Sequence, residues 1–497
     1  MRPSYAHEDV GSQSDRRLLV ISYFFPPDAA VGARRWEKLC LYAAERGWGI
    51  DVIMNAGADF SSASARLSQL PSGIRLYSVA APEIALSRWE KSVARARRAH
   101  RELQTPEITG APSSVRPAPT LPGSVARAEV RWALHTQRGI LRLCWAWLDY
   151  ARTGAWSQAA VCAGSAIFQP GVHRAVIATS PPFMAQEAAR ALGGRCRVPF
   201  VVDMRDPWLH IERLTEPMAT PLWLRLAAWY ESRAVAKAAL IVANTELARR
   251  QLAATYPDRA GDIITVTNGS DEDPLPPQRL GGRFVIAHAG TVYLDRDPRA
   301  LFVAAARVIR ELNLTPDEFG LSFIGDLEAV GGFPINEVAR QEGISDYVDT
   351  GPLLPHAGAI AFMSQATMLV TMSGSSMAAV PAKTFECARF PAWLLALSVP
   401  GSATELLLQG TGADVISPSD VDGIAAVIRN RYAQHRDGVT PAPVGADTRF
   451  SRRFQANVLF DALEKRLEGG KLYVPRTVAL AQQSFKSGSG APVGVKP

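Results

Sequence analysis

The chain has 497 residues, more than a single hydrophobic core ordinarily serves, so two domains with linkers are the natural expectation. Hydrophobic residues make up 47% and charged residues 20%, the proportions of a soluble globular protein rather than of a disordered or membrane-embedded one. The net charge of +7 favours an anionic partner, whether nucleotide phosphate, membrane surface or nucleic acid, without choosing among them.

The opening residues, MRPSYAHEDVGSQSDRR, hold no apolar run. No secretory signal is expected, and residues 1–16 read as disordered. LLVISYFF, from about residue 18 to 24, reads as a strand covered on both faces. The loop PPDAAVG leads into a helix, ARRWEKLCLYAAERG, stopped at Gly47, and IDVIM (50–54) completes a β-α-β unit. Residues 85–165 then break the rhythm. TPEITGAPSSVRPAPTLPGS (105–124) is rich in Pro and Ser and reads as flexible. Around it, Arg88, Lys91, Arg95 and Arg98, and again Arg127, Arg131, Arg138 and Arg142, recur at helical spacing, each set forming one cationic stripe. Trp132, Trp145 and Trp147 lie close by. Such a basic insertion suits a solvated helix face or contact with anionic lipid; no nucleic-acid module accompanies it, and no nucleic-acid partner is expected.

Strands resume with AVIAT (175–179), PFVVD (199–203), ALIVA (239–243) and IITVT (263–267), separated by helical segments such as 221–238. This alternation predicts a parallel, doubly wound sheet. NGSDEDPLPPQRLGG (268–282), rich in Pro, Gly and acid, reads as the linker between a first domain, 17–270, and a second, 283–470. The second repeats the alternation: RFVIAHAG, a helix over 297–311, LSFIG, YVDTG, TMLVTM, WLLALS and ADVIS, closed by a helix in RFSRRFQANVLFDALEKRLEGG. Residues 471–497 read as a disordered tail. No stretch of about 18 apolar residues predicts a transmembrane helix. Five scattered cysteines, Cys40, Cys144, Cys162, Cys196 and Cys387, argue for a reducing compartment and against a disulfide framework or structural zinc. A cytoplasmic protein, at most peripheral on the inner membrane face, is the expectation.

Ligands of doubly wound sheets bind beyond the carboxyl ends of the strands. The segments there include SYFFPPDAAVGARRWEKL, IATSPP, VDMRDPW, VANTELARRQL, VTNGSD, AGTVYLDRDPRALFVAA, FIGD and VPAKTFECARFPAWLLAL. In this order, over residues 18–410, they resemble glycosyltransferase family 4, and the PAKTFE form resembles members that build bacterial cell-surface polysaccharide. The resemblance implies an α/β protein of the GT-B fold, with two doubly wound Rossmann-like domains facing each other across a cleft. It implies a retaining, metal-independent glycosyltransferase. A UDP- or GDP-linked sugar would sit mainly on the second domain as substrate, with no further cofactor, and a lipid-linked or polysaccharide acceptor would enter from the first.

The resemblance gives Glu386 the two ribose hydroxyls of the donor, a task that two carboxylate oxygens suit. A place at the start of a short helix would further favour the anion. Many members carry another glutamate eight positions earlier, where this chain has Ala378; Ser375, Ser376 or backbone N–H groups are left to serve the sugar. Arg296 falls to the diphosphate, whose growing charge a fixed cation stabilises, and Lys383 either joins it or pairs with Glu386. Gly290 and Thr291 let the backbone approach the phosphates. Gly32, in the first loop just ahead of a helix, offers N–H groups to an anion, and Arg34 and Arg35 add positive charge. In VVDMRDPW, Asp206 is the candidate catalytic carboxylate, with Arg205 beside it and Trp208 following. Retaining members generally lack an obvious base, the leaving phosphate taking the proton, so Asp203 and Arg205 read also as ion pairs shaping the cleft. His210 is a weak substitute for a histidine that some members place on the donor sugar.

Two alternatives accompany this reading. One is a GT-B sugar-nucleotide epimerase, which needs no acceptor; the other is a non-catalytic scaffold, suggested by Ala378. A nicotinamide dehydrogenase is disfavoured because PPDAAVG contains no GxGxxG. The D-x-D of SDEDP falls in the linker and the eight histidines show no ligand spacing, so no metal site is expected.

Overall fold

The computed structural model describes residues 4–7, 14–27, 31–56, 70–82, 137–205, 220–277, 282–292, 296–327, 334–374 and 376–469. The first half of the chain supplies β1 (Ser4–His7), β2 (Arg17–Ser22), β3 (Gly49–Asn55), β4 (Ile74–Val79), β5 (His173–Ser180), β6 (Phe200–Met204), β7 (Leu240–Ala243) and β8 (Ile263–Thr265). Its helices are α1 (Val31–Glu45), α2 (Gln137–Ile167), α3 (Met184–Cys196), α4 (Pro221–Lys237) and α5 (Glu246–Thr255). The strands form one sheet in the order β1-β4-β3-β2-β5-β6-β7-β8. All neighbours run parallel except β1, which pairs antiparallel with β4. Residues 4–7, expected to be disordered, therefore form an edge strand.

The second sheet holds β9 (Phe284–Ala289), β10 (Phe319–Ile324), β11 (Val348–Gly351), β12 (Met368–Gly374), β13 (Trp393–Ser398) and β14 (Asp414–Ile416). Its order is β11-β10-β9-β12-β13-β14, parallel throughout. The helices that follow are α6 (Arg299–Leu312), α7 (Ile335–Gln341), α8 (His356–Met363), α9 (Ala382–Cys387), α10 (Ala403–Leu408), α11 (Val421–Arg436) and α12 (Arg452–Glu468). Both sheets are thus doubly wound, and the direction of winding reverses beside β2 in the first and β9 in the second. Crevices open at such points beyond the strands' carboxyl ends.

The alternation of strand side chains explains why β2 is apolar throughout. Leu18 and Val20 join a core with Trp36 and Leu39 of α1, while Leu19 and Ile21 join another with Trp156 of α2. The strand is shorter than its apolar run suggests, because the Ser22 hydroxyl donates to the Phe24 carbonyl at 2.7 Å and turns the chain out of the sheet. The interruption expected over 85–165 also ends sooner. The chain must cross from β4 at one side of β2 to β5 at the other, and α2 makes that crossing with Trp156, Ala160 and Ala163 buried against the sheet. Arg88, Lys91, Arg95, Arg98, Arg127, Arg131 and Trp132 lie outside the described residues. Among the described residues no helix is long and apolar enough to cross a membrane.

Helix α12 departs from expectation most clearly. Rather than closing the second domain, it packs Ala456, Leu459, Phe460 and Leu463 into the first-domain core beside Trp36, Leu39 and Trp48. The segment taken as a linker is fastened at the same place. Ser270 N–H donates to the Phe450 carbonyl at 2.8 Å, and Arg452 N–H donates to the Ser270 carbonyl at 3.0 Å.

Candidate functional site

Glu386 lies in the last turn of α9, not at its start, so the helix dipole does not favour its charge. Two side chains do. Lys383 Nζ donates to Oε2 at 2.8 Å, from one turn earlier, and His356 Nε2 lies 3.3 Å from Oε1, from the first residue of α8. Burial alone would raise the carboxyl pKa; His356 and Lys383 outweigh it and lower the value to about 2. Glu386 remains 16% exposed, and its charge also reaches Arg34 of the first domain. It is an ionised, partly open carboxylate at the carboxyl edge of the second sheet.

A second histidine underlies this edge. His288, next to last in β9, is buried, and its Nδ1 meets the Val370 carbonyl at 2.9 Å. A carbonyl only accepts, so Nδ1 carries the proton. Burial is the main cause lowering the imidazole pKa to about 4; Arg296 and Lys383 lower it further, against the Val370 bond. Both cations expected near a diphosphate therefore reach the same ring. A β-carbon at Gly290 would come within 3.3 Å of His288 Nε2, a tight contact that the imidazole would have to yield to. Gly325, at a φ of +143°, passes so close to the Gly290 carbonyl that no other residue fits. Thr291 continues from Gly290 at the end of β9.

On the first domain several expectations change. Gly32 lies within the first turn of α1, and a β-carbon there would overlap the Arg205 guanidinium. That glycine makes room for an arginine of this chain. Arg34 is not held free for phosphate: its Nη2 pairs with Asp271 Oδ2 at 2.7 Å. Asp271 also takes Arg452 at 2.8 Å and lies 3.6 Å from Lys38, so the linker's buried carboxylate pins α1 and α12 together. Burial disfavours the Arg34 charge, but Asp271 raises its pKa overall. Arg35 is buried rather than solvated. It grips Asp203 through Nε at 3.1 Å and Nη2 at 3.0 Å, and donates to the Val266 and Thr267 carbonyls at 2.8 and 3.0 Å. Trp36 Nε1 donates to the same Asp203 at 2.8 Å, so this aspartate is an ion-pair anchor of the strand ends. Asp206, Trp208, His210 and Ser375 lie outside the described residues.

The two domains meet beyond their sheets. Thr245 caps α5 by accepting from Ala248 N–H at 3.1 Å and donates to the Ala378 carbonyl at 2.7 Å. Ser376 Oγ accepts from Ala379 N–H at 3.3 Å within the same loop. His356, His288 and Thr245 were not singled out from sequence, and Asp271 was weighed only as part of the D-x-D motif. The local sign for His288 and Thr245 was a position at the end of a strand; His356, opening α8, carried none. Among the described residues no three His, Cys, Asp or Glu side chains group to hold a metal ion. The arrangement gathers one open carboxylate and several cations along facing edges, which suits a ligand carrying both hydroxyl donors and anionic phosphate.

No protein-family model matches the chain, and no curated protein matches it in sequence. Among solved structures it is similar to sucrose-phosphate synthase from Thermosynechococcus elongatus, at 11% identity and a TM-score of 0.53, over 95% of this chain and 100% of that one. It is similar to the lipopolysaccharide outer core galactosyltransferase WaaB in its apo form, at 12% and 0.52, over 90% and 99%. A Listeria monocytogenes protein assigned as a UDP-N-acetylglucosamine 2-epimerase is similar at 10% and 0.51, over 92% and 98%. At such identities the likeness carries the fold alone. This chain has the GT-B architecture, two Rossmann-like domains, expected from its strand-end segments.

Proposed function

We propose that this GT-B chain is a retaining glycosyltransferase of the family 4 type. It would move a sugar from a UDP- or GDP-linked donor to a lipid-linked or polysaccharide acceptor in the making of cell-surface polysaccharide, on the cytoplasmic side of a membrane. The observation that carries the reading is Glu386, ionised by Lys383 and His356 and still open at the edge of the second sheet. Each of its oxygens keeps lone pairs beyond the one already engaged, enough to accept the two ribose hydroxyls in charge-assisted bonds. Arg296 and Lys383, which both act on the His288 ring, would stabilise the charge gained by the leaving diphosphate without a metal. Gly290 and Thr291 would offer main chain to the phosphates, and a hydroxyl of Ser375 or Ser376, or backbone N–H groups near Ala378, would serve the transferred sugar. Arg205 and Asp206 serve the acceptor side.

Glu386→Ala removes two charge-assisted contacts of about 1.5 kcal/mol each, so donor affinity should fall about 10²-fold. Calorimetric titration of UDP and GDP into the wild type and the variant measures this. Equal affinities would overturn the ribose role. The fold also fits an epimerase, as the Listeria likeness illustrates. Incubation with the nucleotide sugar alone separates the two, since an epimerase alters the sugar without an acceptor.

A further inference from the structure

We propose that the outer face of α2 and α4 is a docking surface for anionic lipid headgroups. The inference deepens the reading above, because it concerns where a membrane-borne acceptor would meet the enzyme, but it stands on different residues. Trp147 is 45% exposed, Trp229 50% and Leu222 38%. Leu222, Arg225 and Trp229 follow one another at i, i+3 and i+7, so they form one stripe along α4.

Aromatic side chains link the two helices. Trp147 precedes Tyr150 by one turn of α2; the Tyr150 and Tyr230 rings are 5.6 Å apart with their hydroxyls hydrogen-bonded, and Trp229 meets Tyr230 edge-on at 4.6 Å. The Arg233 guanidinium lies 4.2 Å above the Trp229 ring. Arg152, Arg190, Arg225 and Arg233 surround these rings. Asp149 pairs with Arg152 at 3.5 Å, and Glu187 with Arg190 at 2.6 Å and Arg233 at 3.6 Å, so the four arginines exceed these two carboxylates by two charges. Helix α2 also begins inside the basic segment read from sequence, and carries Arg138 and Arg142 in the turns before Trp147.

Tryptophan, tyrosine and arginine on a water-facing helix surface are what the headgroup layer accommodates. The rings carry an apolar body and a polar edge, and arginine keeps its charge at the phosphates while its stem lies flat. A protein partner would use the same residue types. The excess of arginine, continuous with the basic segment and the chain's net charge of +7, favours an anionic sheet of lipid. Because α2 is not apolar enough to cross a membrane, it would lie on the surface.

The test is co-sedimentation of the full chain with vesicles of phosphatidylcholine alone or with about 30% phosphatidylglycerol. The wild type should partition onto the anionic vesicles and be released by salt. The triple variant Trp147→Ala, Trp229→Ala, Leu222→Ala should lose about tenfold or more of that partitioning, and Arg225→Glu a smaller share. Melting temperature and UDP affinity, read on the same samples, should stay at wild-type levels in both. Failure of the wild type to bind anionic vesicles, equal binding to neutral ones, or variants that bind undiminished would each overturn the docking surface. Loss of UDP binding by the wild type would instead strike the donor reading and leave this one standing.

Discussion

Arg17, Asp51 and His173 meet at the amino end of the first sheet; Lys383, Glu386 and His356 meet at the carboxyl end of the second. Each cluster joins a cation, a carboxylate and a histidine. In the first, Asp51 takes Arg17 Nε and Nη2 at 3.0 and 2.7 Å and His173 Nε2 at 2.8 Å, and His173 Nδ1 accepts the Gln169 N–H at 2.9 Å. Arg17 also donates to the Ile50 and Gly73 carbonyls, and all three side chains are at most 2% exposed. In the second, His356 is 42% exposed and Lys383 34%. The same chemistry ties strands together when it is sealed and offers a carboxylate when it is open. Which role applies follows from burial and from the end of the sheet, not from the residue types.

That contrast can be broken at several points. The largest effect should come from Asp51→Ala, which leaves Arg17 charged and buried without its partner. A loss of about 4 kcal/mol in denaturant unfolding is expected, with the nucleotide affinity of the folded fraction unchanged. Glu386→Ala should do the reverse, costing affinity as above but about 1 kcal/mol or less of stability, since both its partners reach water. Comparable stability losses in the two variants would erase the distinction.

Acid sharpens it. The folded pKa of Glu386, about 2, lies below the unfolded value of about 4.3, so its contribution is complete above that unfolded value and is lost as pH falls toward 2. The stability advantage of the wild type over Glu386→Gln should be constant near neutrality and shrink over that acid window; a constant gap would deny the shift. The smallest effect belongs to Thr245→Val. Loss of its bond to Ala378 should weaken donor affinity about fivefold, with Thr245→Ser restoring it, since the net worth of such a bond is about 1 kcal/mol.

Much of this was legible in the sequence, for identifiable reasons. Strands buried on both faces declare themselves as apolar runs, and Leu18–Ile21 did so. Lys383 and Glu386 are one helical turn apart, and their pairing was among the expected outcomes. His356 was not foreseen, because it reaches Glu386 from 30 residues away through the sheet's topology. Arg34 and Arg35 looked alike, yet neighbours on a helix point about 100° apart. One therefore meets the linker and the other the interior. The apolar stripe of α12, at 456, 459, 460 and 463, would look identical against either sheet, and chain order assigned it to the wrong one.

The return of α12 has a consequence for biosynthesis. A chain emerging from the ribosome completes the strands of its first sheet long before Leu459 and Phe460 exist to complete the face that α1 covers only in part. At about 5–20 residues per second, the roughly 190 residues between β8 and α12 keep the rest of that apolar face uncovered for about 10–40 s. The first half of the protein must wait for nearly the last of it, and truncation at the linker would leave the waiting permanent.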